Sequence, residues 1–327
     1  MRTKLLPFLL VVFLYDSCSL SSCDHPTNAF ARRGLIKVGG SRIALGQIYV
    51  QGDAQPTLRL KFFDGREETR PLTCCANSAG STISQNRIVL VDISLRMTQS
   101  PWEMMRTTQN GGQVAVLDLD GKVIARSKVR ISSGLVALSP DGRRFAFGGT
   151  PGGFPLKAQG VYIASFDSTE CRRVFPVVDQ PPGEPHTLGR DYSLQWSPDG
   201  GALLYSYRGK VVLIDLRTGQ TKSLVDGGGA ARLSPRGDRL AYITPNTRVA
   251  LLDLTSGQSH LIDPDRGTNM RPVEWSPDGR YVSFVETEGS HVPYGCLWVY
   301  RVSDGAFVAI PDWGRGPSVH WVSLGNL

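Results

Sequence analysis

Apolar residues along this chain come in short runs bounded by turn formers, and the runs recur in a fixed order. Val211-Val212-Leu213-Ile214-Asp215-Leu216-Arg217-Thr218-Gly219-Gln220 is nearly repeated by Val249-Ala250-Leu251-Leu252-Asp253-Leu254-Thr255-Ser256-Gly257-Gln258. Weaker copies run over Val114–Lys122, Val161–Glu170 and Leu297–Ala306. Each reads as a mostly buried strand, a glycine-containing turn and a second, more polar strand such as Thr221–Val225 or Ser259–Ile262. No convincing amphipathic helix lies beyond the first twenty residues, and no later apolar stretch is long enough to span a membrane as a helix.

A second phrase runs in phase with the first: Leu138-Ser139-Pro140-Asp141-Gly142, Trp196-Ser197-Pro198-Asp199-Gly200, Leu233-Ser234-Pro235-Arg236-Gly237 and Trp275-Ser276-Pro277-Asp278-Gly279. Serine, proline and glycine at the first, second and fourth positions are the preferences of a type I turn. Proline presets φ, and glycine supplies the permissive backbone that lets the chain reverse. Each phrase leads into an apolar run with an aromatic, Phe145-Ala146-Phe147, Leu203-Leu204-Tyr205, Leu240-Ala241-Tyr242 and Tyr281-Val282-Ser283-Phe284, so each predicts a hairpin. The serines at 139, 197, 234 and 276 are 58, 37 and 42 residues apart. Propeller blades of four strands recur every ~40–45 residues. The long first step is accounted for by the Pro/Gly-rich segments Gly148–Gly153 and Gln180–Pro185.

One unit therefore holds four strands, and the array predicts an all-β propeller of four-stranded antiparallel blades. A fifth, degenerate unit falls upstream, with Asn77-Ser78-Ala79-Gly80 as its worn turn and strands through Asn86–Ile93, Gln113–Leu119 and Val123–Val129. The chain ends on a lone inner strand at His320-Trp321, and the missing strands are supplied by Leu35–Val38, Arg42–Val50 and Thr57–Phe63. Such closure unites the two termini in one blade and removes an exposed edge. Six blades fit the spacing best; five or seven also fit. The expected organisation is a signal segment over 1–22, a lipidated tether over 23–33 and a single propeller over 34–327.

The first residues change the compartment. Arg2 and Lys4 precede the apolar stretch Leu5–Tyr15, and Leu20-Ser21-Ser22-Cys23 resembles the bacterial lipobox, in which the cysteine carries the lipid. Lipidation at Cys23 and ordinary cleavage after a small residue both stay open, with Asp16 unusual for a lipobox; either implies export. In an oxidising compartment Cys74, Cys75, Cys171 and Cys296 allow three pairings, and buried free thiols are an equal alternative. The formal charge of +7 is modest and spread along the chain, which argues against a nucleic-acid partner.

Chemistry-bearing motifs are scarce. There is no Gly-x-Ser-x-Gly elbow, no His-Glu-x-x-His, no phosphate loop and no metal-ligand spacing among the five histidines. Asp263-x-Asp265-x-Gly267-x-Asn269 with Glu274 is a poor calcium loop, its glycine one place early. No metal or cofactor is expected. Ligands of propellers meet loops around the central channel, and where the inner strands begin the chain offers Arg190, Asp191, Tyr192, Arg271 and Arg315. These residues suit a polar or anionic group, or equally pair with one another to hold the blades together.

The Ser-Pro-Asp-Gly phrases with their aromatic followers, and the Leu-Asp-Leu…Thr-Gly-Gln strands, resemble the WD40-like (PD40) repeat of TolB-type β-propellers. The resemblance is clear over about residues 130–310, and circular closure extends it over most of the mature chain. It implies a propeller fold strongly and a function weakly. TolB itself carries an α/β domain before its propeller and partners an outer-membrane lipoprotein; this chain has no room for that domain, so it resembles the family without matching TolB. Propellers of prolyl oligopeptidases are similar too, and no catalytic domain follows here. Two functions are then expected as alternatives. The first is a monomeric, membrane-tethered scaffold in the cell envelope that binds a protein or envelope component. The second is a propeller lyase or hydrolase acting on an anionic glycan.

Overall fold

The computed structural model describes residues 43–49, 57–62, 67–72, 78–84, 86–92, 111–131, 135–149, 151–152, 160–176, 192–262, 269–287, 297–310 and 320–323. These residues form strands only, β1 (Ile43–Tyr49), β2 (Thr57–Phe62), β3 (Glu67–Pro71), β4 (Ser78–Ser84), β5 (Arg87–Asp92), β6 (Gly112–Leu117), β7 (Val123–Ile131) and β8 (Val136–Leu138). The series continues with β9 (Arg144–Gly149), β10 (Gly160–Ser165), β11 (Cys171–Pro176), β12 (Ser193–Trp196), β13 (Ala202–Tyr207), β14 (Lys210–Asp215), β15 (Thr221–Asp226) and β16 (Gly229–Leu233). It closes with β17 (Arg239–Ile243), β18 (Val249–Asp253), β19 (Ser259–Leu261), β20 (Asn269–Trp275), β21 (Tyr281–Thr287), β22 (Leu297–Arg301), β23 (Phe307–Ile310) and β24 (His320–Ser323).

They assemble into four-stranded antiparallel sheets. Five sheets use four consecutive strands, β4–β7, β8–β11, β12–β15, β16–β19 and β20–β23, and one more has the order β24-β1-β2-β3. The inner strands β4, β8, β12, β16, β20 and β24 succeed one another around the axis, each touching the next. In the composite sheet Ala44 faces Val322 and Gly46 faces His320. Its outer strand is Glu67–Pro71, which was not among the three strands expected from the sequence; of those three, Arg42–Val50 and Thr57–Phe63 match β1 and β2, and Leu35–Val38 lies outside the described residues. The reason is polarity: Glu67, Glu68 and Thr69 are exposed, and Arg59 pairs across the strands with Glu67, so no apolar alternation marks this edge.

The repeated phrase builds the turn that its residue types demand. Gly142, Gly200, Gly237 and Gly279 each donate their backbone N–H to the carbonyl of the phrase's serine at 2.9 Å. All four glycines stand at φ between 69° and 74°, a conformation that L side chains rarely adopt. The aspartate then ties the turn: Asp199 accepts from Ser197 Oγ and from Gly201 N, as Asp141 does from Ser139 Oγ and Arg143 N. In the copy that reads Ser-Pro-Arg-Gly-Asp, the carboxylate of Asp238 takes over and accepts from Ser234 Oγ at 2.6 Å. The upstream unit turns elsewhere than expected. Ser78, Ala79 and Gly80 lie within β4, whose pairing with β5 shifts between Ser78 and Ser81, and the reversal follows Ser84 with Asn86 at φ 59°. Asparagine tolerates this left-handed conformation, which is why no glycine marks the place.

The Leu-Asp-Leu strands end on a second carboxylate turn. Asp215 accepts from Arg217 N and Thr218 N, and Asp253 from Thr255 N and Ser256 N. Hydrogen bonds from neighbouring side chains and backbone amides hold the carboxyls of Asp141, Asp199, Asp215 and Asp253 below their ordinary value. A lowered folded-state value means the stabilisation is present above the unfolded value, near 4, and is lost as pH falls through the lower folded values. Urea unfolding followed between pH 6 and pH 2 is therefore expected to show a midpoint that drops steadily below about pH 4. A D141N/D199N/D215N/D253N variant should have a lower midpoint at pH 6 and a flatter acid limb; an unchanged acid limb would show that these turns do not set it.

Blades are sewn together by side chains, since adjacent sheets share no strand ladder. The indole of Trp196 donates to Ala137 O at 3.1 Å, and that of Trp275 donates to Arg232 O at 3.0 Å. Ser193 Oγ donates to Ala231 O, and Gln195 accepts from Leu233 N at 2.8 Å. Between blades lie apolar clusters such as Ala241, Leu251, Val273, Trp275, Phe284 and Trp298. Each glycine of the later turns sits against the preceding turn's proline: Gly200 on Pro140, Gly237 on Pro198 and Gly279 on Pro235. The turns thus form a chain of contacts around one end of the channel.

Candidate functional site

Each inner strand carries one residue in the same place, two positions before the turn serine or its equivalent. Around the axis these are Thr82, Ala137, Gln195, Arg232, Glu274 and His320. Strand alternation sends the following residue, Ile83, Leu138, Trp196, Leu233, Trp275 or Trp321, into the packing between blades. Four of the six, Gln195, Arg232, Glu274 and Thr82, are half-buried and line a cavity of about 490 Å³ at the turn end of the channel. Pro140, Pro198, Pro235 and Pro277 form its rim.

The polar groups of this ring are concentrated on three neighbouring strands. Arg232 Nε donates to Glu274 Oε1 at 3.1 Å, and Arg232 Nη1 donates to Ala231 O. Glu274 Oε1 also lies 3.5 Å from Nδ1 of His320. Burial pushes the Glu274 carboxyl up, but the Arg232 charge and the imidazole outweigh it, and the net value is below the ordinary range. His320 is 5% exposed, and neither ring nitrogen makes a hydrogen bond among the described residues. A buried polar group without a partner costs about 1–3 kcal/mol, so this imidazole is an unsatisfied group beside the cavity's charged wall. The opposite side of the ring, Thr82 and Ala137, is small and leaves the space.

Of the residues that the sequence pattern put forward, only Tyr192 and Arg271 are described, and both stand where inner strands begin, away from the turns. Tyr192 is half-buried and packs with Leu194, Trp196 and Leu203. Arg271 lies within β20 opposite Val285, three residues ahead of Glu274. Arg190, Asp191, Arg315 and Cys23 lie outside the described residues, as do Cys74, Cys75 and Cys296; Cys171 forms no disulfide among the described residues. The structure thus brings together Arg232, Glu274 and His320, which motif reading passes over. Their signal was positional: three polar residues in the place before the Trp or Leu that leads the turn.

Among the described residues no group of three or more His, Cys, Asp or Glu side chains is placed to hold a metal ion. No helix among them is long and apolar enough to cross a membrane.

Known proteins resemble this chain in fold. No family model matches the sequence, and no curated protein matches it. Solved structures do: a chain of the nidogen/laminin complex superposes with a TM-score of 0.55 at 11% identity, over 88% of this chain and 100% of that one. A chain from a structural and mechanistic study of two prolyl endopeptidases gives 0.50 at 14% identity, over 94% of this chain and 49% of that one. The β-propeller domain of Myceliophteria thermophila Cps50 (Swd1) gives 0.49 at 15%, over 84% and 91%. The chain is a β-propeller protein. Identities this low speak to the fold alone, so activity has to be argued from the channel itself.

Proposed function

We propose that this propeller is a binding scaffold that takes its partner at the turn end of the central channel. The observation that carries the reading is the cavity of about 490 Å³ framed by four prolines, with Arg232 and Glu274 already satisfying each other in its wall. A pair so committed recognises and orients, whereas general acid–base catalysis needs a group poised to exchange a proton with substrate. The finer reading is a six-bladed, TolB-like ring that is exported by its first 22 residues and tethered through a lipid on Cys23. The four-copy turn phrase and Leu20-Ser21-Ser22-Cys23 support it. The partner is a protein or another envelope component, and the sequence-based candidates Arg190, Asp191, Tyr192, Arg271 and Arg315 are the competing contact residues.

Crosslinking capture from the native envelope tests both surfaces. Thr82→Trp fills the cavity from its uncharged side, and an R190A/R271A/R315A variant removes the competing arginines. Loss of the captured partner with Thr82→Trp at unchanged thermal midpoint, and retention with the triple variant, is the expected pattern. The reverse pattern would move the site to those arginines, and capture untouched by both variants would remove the channel from the interaction. In the same cells Cys23→Ala should release the protein from the membrane fraction; continued membrane retention would overturn the lipid tether.

A further inference from the structure

We infer that the turn-end cavity holds a neutral, polyhydroxylated ligand, a saccharide unit, gripped by Gln195, Arg232 and Glu274. The inference rests on reading this cavity as the binding site and adds the chemistry of what enters it. Its groups leave a definite complement. Arg232 commits Nε–H and one of the two Nη1 hydrogens, so one hydrogen on Nη1 and both on Nη2 remain; Glu274 engages Oε1, which leaves Oε2 as an acceptor. Gln195, which lines the same wall, exchanges its amide with Leu233 N and O and keeps one N–H of Nε2 to offer.

A ligand must therefore accept from an arginine and an amide and donate to a carboxylate within one small wall. A carboxylate or phosphate could take the arginine but would be driven against Glu274, and an ammonium could take Glu274 but would face Arg232. One carboxamide serves a single donor–acceptor pair. Hydroxyls each donate once and accept twice, so adjacent hydroxyls on one ring satisfy the Gln195, Arg232 and Glu274 groups without adding charge. The volume fits: about 490 Å³ lies in the range of small-molecule pockets, and the small side chains of Thr82 and Ala137 leave the facing side open. Leu194, Ile83 and the rim prolines supply apolar surface for the C–H faces of such a ring.

Calorimetric titration of the full chain with glucose, galactose, N-acetylglucosamine and myo-inositol, beside glucuronate and glucosamine, tests this. At least one neutral polyol should saturate at one site and bind tenfold or more tightly than its charged counterparts. An R232M/E274L variant and Thr82→Trp, each checked for a cooperative melt, should each weaken that binding tenfold or more. Tighter binding of a matching trisaccharide assigns the site to a glycan end, and equal binding assigns it to the free sugar; both support the inference. Absence of saturation by every neutral polyol, equal binding of glucuronate or glucosamine, or undiminished binding in both variants overturns it. Saccharide failure with cavity-dependent partner capture intact would leave the scaffold reading standing. Saturable saccharide binding with capture untouched by Thr82→Trp would remove that reading instead.

Discussion

A chain ending at residue 319 is expected to lose at least about 5 kcal/mol of stability and to self-associate. It would lack β24, and with it a fully buried Val322 and a Trp321 that is 7% exposed. That indole stacks on Tyr281 at 6.0 Å between centroids and donates to Ser283 Oγ at 2.9 Å. Deleting a buried tryptophan side chain alone costs about 3–5 kcal/mol through lost transfer energy and the cavity left behind. The truncation also strips β1 of its inner partner, and an unpaired strand edge is a template for pairing with a second chain. Urea unfolding and size-exclusion chromatography check both parts. Trp321→Ala, which keeps the strand, should lose stability while remaining monomeric. A truncated chain with an unchanged unfolding midpoint would show that the composite sheet does not hold the ring.

The second large effect lies in the channel wall. Glu274→Leu should cost about 3 kcal/mol, because removing one member of a largely buried pair leaves the other charge without compensation. Arg232→Met should cost a similar amount. The R232M/E274L double variant should recover most of the loss, since well-packed apolar residues can replace such a pair at little net cost. The coupling read from this cycle measures the pair directly. Additive losses would show that the two side chains act independently and that the 3.1 Å contact contributes nothing to stability. The depressed Glu274 carboxyl adds a pH signature. Its share of the stability is present above the unfolded carboxylate value and disappears as pH falls through the folded one, so the Glu274→Leu penalty should shrink in acid.

Where local chemistry decides structure, the amino-acid sequence was readable. Ser-Pro-Asp-Gly names its turn residue by residue, and the later blades follow from counting its copies. Legibility fails where polarity replaces pattern. Glu67–Pro71 is an edge strand whose outward face is charged, so nothing apolar alternates there. The reversal after Ser84 uses asparagine where the other turns use glycine, and the small residues Ser78–Gly80, which resemble a turn in sequence, lie within a strand.

The channel wall was hidden for a different reason. Arg232, Glu274 and His320 are far apart along the chain, and no spacing rule links them. Only the ring closure sets them side by side, each in the same slot of successive inner strands. Glu274 drew notice as the tail of a poor calcium loop, yet its partners are an arginine and an imidazole. Reading down the repeats at one fixed position, rather than along the chain, would have found all three.

Pairing Gly46 with His320 also sets an order of events in time. The strand β1 has no inner partner until β24, far later in the chain, is available, so a strand made early is among the last to be completed. Contacts so distant in sequence are slow to form, because a long loop must close before any of them is rewarded. The middle blades, each made of consecutive strands, can condense first and wait as an open arc. Refolding of this protein should therefore show a late, slow phase reported by Trp321, absent from any tryptophan of the central blades.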